Sequence, residues 1–216
     1  MLEIWRNPEY LRHVRGELRF SRAVTVAVVV LLVCFLVGLS CWANAQSEIE
    51  NARNAATQFG GQWQERLPVI ERQAMQDFWR LFYQWLIGMQ GAILIFWSLF
   101  ACAQSVSGER DRKTWDFQRI TRLGSSELLA GKLLGEPVLA YFMVLCSLPI
   151  TFVAGLGAGF SLGTVVAVYV ILLSTALFVG LWGLWLSTLL DSKNRGMTMI
   201  GALGITLSFL MKLFDA

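Results

Sequence analysis

Gly124, Gly131 and Lys132 come nearest to a phosphate-binding loop, in which backbone amides cradle phosphates and a lysine reaches the outermost one. The two glycines stand seven apart and Leu133 follows the lysine, so both the spacing and the metal-facing hydroxyl are wrong. Thiol and metal chemistry fare no better. Cys34, Cys41, Cys102 and Cys146 fall within or at the edge of apolar blocks and form no CxxC pair, which fits small buried hydrophobes. His13 is the only histidine, which argues against a His-based metal site or proton relay. Ser147 and Ser174 sit in apolar blocks, where a hydroxyl turns back on its own helix or packs rather than acting as a nucleophile. Glu136, Asp191 and Lys212 stand near block ends, so the interiors lack the charges that mark ion pathways. No catalytic, cofactor-binding or metal site is expected in this chain.

What remains is the chemistry of contact. Residues 105–136 read SVSGERDRKTWDFQRITRLGSSELLAGKLLGE, an acidic-basic cluster followed by two short helical pieces. Trp115, Phe117 and Ile120 lie among these charges, enough for a short helix that offers a partly apolar face to another protein. A soluble loop folded back on the membrane fits the composition equally well.

The elements that must position this segment are membrane spans. The chain of 216 residues is 56% hydrophobic and only 15% charged, with a mean hydropathy of +0.55. A soluble domain carries nearer a quarter charged residues. Five apolar blocks, at about 23–42, 82–104, 137–156, 164–190 and 197–213, approach or exceed the length of roughly 20 residues that crosses hydrocarbon as a helix. Helices satisfy their backbone within the segment, and no alternating barrel strands are visible. The expected fold is an all-α, polytopic transmembrane bundle of about five spans.

Lysine and arginine placement orients it. Arg6, Arg12, Arg15, Arg19 and Arg22 precede the first span. Arg110, Arg112, Lys113, Arg119, Arg122 and Lys132 lie between the second and third, and Lys193 and Arg195 between the fourth and fifth. Residues 158–163 carry no charge. The N-terminus and both basic loops are therefore expected in the cytoplasm of a multi-pass cell (inner) membrane protein. Burying Glu109, Arg110, Asp111, Arg112 and Lys113 in lipid would cost about 2.5–3.5 kcal/mol each. Ala43-Asn44-Ala45 resembles a signal-peptidase site, but the apolar run before it is too long and its flank too patterned, so no cleavage is expected.

Residues 1–22 are expected as a cytoplasmic interfacial helix and 23–216 as the transmembrane domain. Asn7-Pro8 suits a helix start. From there to Arg22, Leu11, Val14 and Leu18 recur on one face and Arg12, Arg15, Arg19 and Arg22 on another. Those arginines are expected to anchor the helix to lipid phosphates. The polar segment 44–80 is expected outside, with Ser47 and Glu50 as a capping box, a break at Gly60-Gly61, and Trp79, Phe82, Tyr83 and Trp85 marking the outer interface. Gly155, Gly159 and Gly163 are expected to build a turn, and Gly180 and Gly183 to permit close helix approach.

The stretch Glu109-Arg110-x-x-Lys113-Thr114, then Thr121-x-Leu123-x-Ser125-x-Glu127-Leu128-Leu129-x-Gly131-Lys132, resembles the cytoplasmic loop of type-2 ABC exporter permeases. Asn7-Pro8 with Glu17-Leu18-Arg19 is similar to that family's interfacial helix, and the 159–163 turn and 192–195 loop also fit. The sequence departs from the pattern at Arg122, where proline is common, and in showing five spans where six are typical. The resemblance implies a coupling helix in 105–136 that docks on a separate ATPase subunit, which would bind the ATP and Mg. Glu109, Arg110, Arg112, Lys113, Thr114, Trp115, Phe117 and Glu127 would form the docking surface, with the aromatics as anchors and the cations steering. It also implies a second permease copy or homologue, with substrate passing through or along the dimer interface. No nucleic-acid partner is expected. A non-transporting scaffold or regulatory subunit is the second reading, and a membrane enzyme the third.

Overall fold

The computed structural model describes residues 8–111, 124–189 and 204. Among them all regular structure is helical: α1 (Pro8–Glu17), α2 (Phe20–Phe59), α3 (Gln62–Asp111), α4 (Ser125–Gly135), α5 (Val138–Gly157) and α6 (Leu162–Leu189). Four of these, α2, α3, α5 and α6, are long and apolar enough to cross a membrane. The fold class is the expected polytopic helical bundle. The expected fifth span, 197–213, lies outside the described residues.

The described chain packs as two units. One comprises Met1–Arg22, Ala92–Tyr141 and Leu172–Ala216, the other Ala23–Gly91 and Phe142–Ile171.

In the first unit, α1 starts at Pro8, where a missing N–H costs nothing, and carries Arg15 in its last turn against the negative end of the dipole. It stops at Glu17 rather than running on to Arg22. Gly16 weakens its last turn, Leu18 N–H makes a final bond to Val14 O at 2.9 Å, and Arg22 Nη1 bridges back to Glu17 Oε2 at 2.7 Å. Arg12, Arg15, Arg19 and Arg22 are all exposed. Helix α4 is joined to α5 through Glu136 and buried Pro137, and Glu136 N–H bonds Lys132 O at 3.0 Å. Gly183 of α6 meets α3 so closely that an added Cβ would stand 2.8 Å from Leu99 O. That contact supplies the close approach expected there.

In the second unit, α2 does not end at residue 42. It has 40 residues, about 60 Å at 1.5 Å each, against roughly 30 Å of hydrocarbon. Past Trp42 the sequence turns polar yet keeps strong helix formers in Ala43, Ala45, Ala52, Ala55 and Ala56, joined by Gln46, Glu48 and Glu50. Helix α3 likewise includes the rest of the polar segment. The segment 44–80 is thus two arms of a helical hairpin continuous with the helices α2 and α3. Gly60 and Gly61 make the bend with φ of 57° and 47°, a left-handed backbone that other residues resist.

The hairpin closes on an alanine-rich seam: Ala45, Ile49, Ala52 and Ala56 are buried along one stripe of α2, and Ala74 is buried on α3. Arg53 Nη2 reaches Glu71 Oε1 at 2.7 Å across the arms. Ser47 caps nothing, because it lies inside α2 and its hydroxyl donates to Asn44 O at 2.8 Å. At the hairpin base Phe78 packs edge-on to Trp42 at 5.6 Å and stacks with Phe82 at 5.9 Å. Phe82 and Tyr83 are buried packing residues rather than interface markers, whereas Trp85 is exposed.

Helix α5 ends in a Schellman turn. Gly159 has φ of 83°, Phe160 N–H bonds Gly155 O at 3.1 Å, and Gly159 N–H bonds Leu156 O at 3.0 Å. Ser161 then caps α6 by accepting Thr164 N–H at 3.1 Å. This is the expected turn between the third and fourth spans.

Candidate functional site

The first unit gathers charge where α1, α4 and the end of α3 meet. Helix α4 begins after Gly124, and the Glu127 carboxylate accepts Gly124 N–H at 3.3 Å, which satisfies one orphan donor of the helix start. Five residues beyond Glu127, Lys132 points inward and is 3% exposed, and its Nζ donates to Ser105 Oγ of α3 at 3.1 Å. A buried ammonium is tolerated only with partners, so this lysine fixes α4 against α3. Leu133 meets α6 at Gly180, where an added Cβ would lie 2.9 Å from Leu133 Cδ1. On another side His13 of α1 covers Gly135, and its Nε2 lies 3.7 Å from Glu136 Oε1. Helix α4 therefore touches α1, α3 and α6 through named side chains.

The expected docking residues distribute unevenly around this junction. Helix α3 continues past Ser105 to Asp111, so Glu109 and Arg110 belong to its last turn and not to a loop. The run of charges that cannot enter lipid can extend a helix into water at little cost. Glu127 sits in the first turn of α4. Arg112, Lys113, Thr114, Trp115 and Phe117 lie outside the described residues. The two helices that flank them, α3 and α4, are the ones tied together by Lys132 and Ser105.

The second unit holds a polar cluster that sequence reasoning missed. Gln90 Nε2 donates to Ser147 Oγ at 2.7 Å and to Thr151 Oγ1 at 2.8 Å, while Tyr169 OH donates to Gln90 Oε1 at 2.8 Å. Gln90 uses both N–H donors and its carbonyl, so the group is satisfied and ties α3, α5 and α6. Ser147 Oγ also turns back to Val144 O at 3.1 Å, the role expected of it. The signal available in the sequence was Gln90 itself, because a carboxamide inside an apolar span needs partners on other helices. Cys34, Cys41 and Cys102 are buried, and all four cysteines are free.

Four helices long and apolar enough to cross a membrane define a multi-pass membrane protein. A family model for ABC-2 family transporter proteins matches residues 17–215, and the chain belongs to that family. It is a membrane permease component of an ABC transporter. No curated protein and no solved structure matches the chain.

Proposed function

We propose that this chain is the transmembrane half of an ATP-driven exporter and is driven by a separate ATPase subunit that grips residues 105–136. ATP and Mg are bound by that partner. Glu109, Arg110, Arg112, Lys113, Thr114, Trp115, Phe117 and Glu127 form the grip, with Trp115 and Phe117 as anchors and the cations steering the encounter. The N-terminus and the grip lie on the cytoplasmic side of the cell membrane, and Arg12, Arg15, Arg19 and Arg22 meet lipid phosphates there. A second permease copy or homologue completes the translocation path.

One observation carries the reading: Lys132 of α4 is bonded to Ser105 of α3 at 3.1 Å, which ties together the two helices that flank residues 112–123. A push on the intervening segment would reach α3 through Ser105, α6 through Gly180, and α1 through His13 on Gly135. The contacts are packed and short, so displacement is transmitted rather than absorbed.

Co-purification of the ATPase subunit with W115A/F117A tests it. The double variant is expected to lose at least tenfold of the captured ATPase while remaining in the membrane, a loss within the range for two anchor residues. Undiminished capture would refute the assignment. Substrate-stimulated ATPase activity that requires this chain separates transport from a scaffold role.

A further inference from the structure

Within the first unit a cavity of about 550 Å³ opens beside α3. Its wall is made by Ile93, Phe96, Trp97 and Phe100, and its polar end by Glu17, Arg22, Gln104 and Glu136. Ile93 to Gln104 spans about 16 Å of helix rise, so the groove runs from apolar to charged along α3. Phe96 and Trp97 are still 45% and 43% exposed. Gln104 stands five residues before Glu109, where the charged run of α3 opens, so the polar end of the groove faces the charged end of the span.

We propose that this groove is a binding site for a phospholipid whose headgroup carries a primary ammonium. Among the described residues the polar end sets two carboxylates, Glu17 and Glu136, against one guanidinium, Arg22. Arg22 Nη1 is already 2.7 Å from Glu17 Oε2, while among the described residues Glu136 Oε1 has only His13 Nε2, at 3.7 Å, as an ion-pair partner. Among the described residues the surplus is negative and favours a cation, and an ammonium brings three N–H donors to the Glu136 carboxylate. The phosphate next to it faces the outward N–H groups of Arg22, which can serve an anion on one edge and Glu17 on another. The acyl chain lies along Phe100, Trp97 and Ile93. A trimethylated ammonium offers no N–H donor, and an anionic headgroup offers no cation, so the groove separates three headgroups of equal acyl length. Of the segment proposed for the ATPase grip, this site uses only Glu136.

Native mass spectrometry of the full chain, released from detergent with equimolar phosphatidylethanolamine, phosphatidylcholine and phosphatidylglycerol of identical chains, tests it. The ethanolamine lipid is expected to be retained about tenfold over either competitor, a difference of about 1.4 kcal/mol. E136Q should erase that preference, and E71Q, on the exposed hairpin, should leave it intact. Equal retention of the three lipids, preference for either competitor, or a folded E136Q that keeps the preference would each overturn the proposal. Should E136Q not fold, the three-lipid comparison on the unaltered chain decides alone.

Discussion

His13 occupies the space that a side chain at position 135 would need. A Cβ built on Gly135 would stand 3.1 Å from His13 Cδ2, 3.2 Å from its Cβ and 3.3 Å from its Cγ. The approach of α1 to α4 is therefore set by the absence of a side chain on one and a ring on the other. Gly135→Ala should force the ring to give by a few tenths of an ångström, and Gly135→Val should separate the helices. We expect G135V to destabilise the protein by about 1–3 kcal/mol, the range for overpacking. Gly88 is helical and has nothing within 4 Å of an added Cβ, so G88A should be neutral or stabilising by up to about 1 kcal/mol. Thermal unfolding in detergent, comparing G135A, G135V and G88A, checks the order. G135V as stable as G88A would show that α1 is not seated on Gly135.

Gln90 and Tyr169 form the second relationship open to direct test, joined at 2.8 Å across 79 positions of sequence. Q90L should leave Tyr169 OH without its acceptor, while Ser147 and Thr151 keep carbonyls on their own helix at 3.1 Å. The loss should be modest, about 0.6–1.7 kcal/mol, as for other hydrogen bonds between spans. A double-mutant cycle of Q90L with Y169F should return a coupling in that range. Additive effects would mean that the two side chains do not interact.

The helical class, the Gly159 turn and the inward role of Ser147 were legible because each is encoded locally. Apolar block length, a glycine after an apolar helix end, and a hydroxyl within reach of its own turn all lie within a few residues. The hairpin was harder to see. Residues 44–80 look like a connector when polarity alone is considered, yet Ala45, Ile49, Ala52 and Ala56 repeat at three- and four-residue spacing, the mark of a packed helical seam. The Gln90 cluster was illegible for a different reason. Its partners lie 57, 61 and 79 positions away, and no local pattern pairs one carboxamide with hydroxyls on two other helices. The docking side chains in 112–117 were named from residue type and resemblance, and packing among the described residues adds only their flanking helices.

The proposed orientation is open to labelling, because the native thiols interfere little: Cys34, Cys41 and Cys102 are buried and Cys146 is half-buried. A cysteine replacing Lys113 should resist a membrane-impermeant maleimide in intact cells and react in inverted vesicles. One replacing Arg53, exposed on the hairpin, should do the reverse. Reaction of K113C from outside intact cells would invert the threading and remove the ATPase from reach.

The most direct test places a photo-crosslinking amino acid at position 115 of the full chain, irradiates living cells, and identifies what is captured. The account predicts an adduct with an ATP-binding subunit encoded separately, with a yield that changes when ATP hydrolysis is blocked. A normally inserted protein that captures only lipid, or nothing, at position 115 would contradict it.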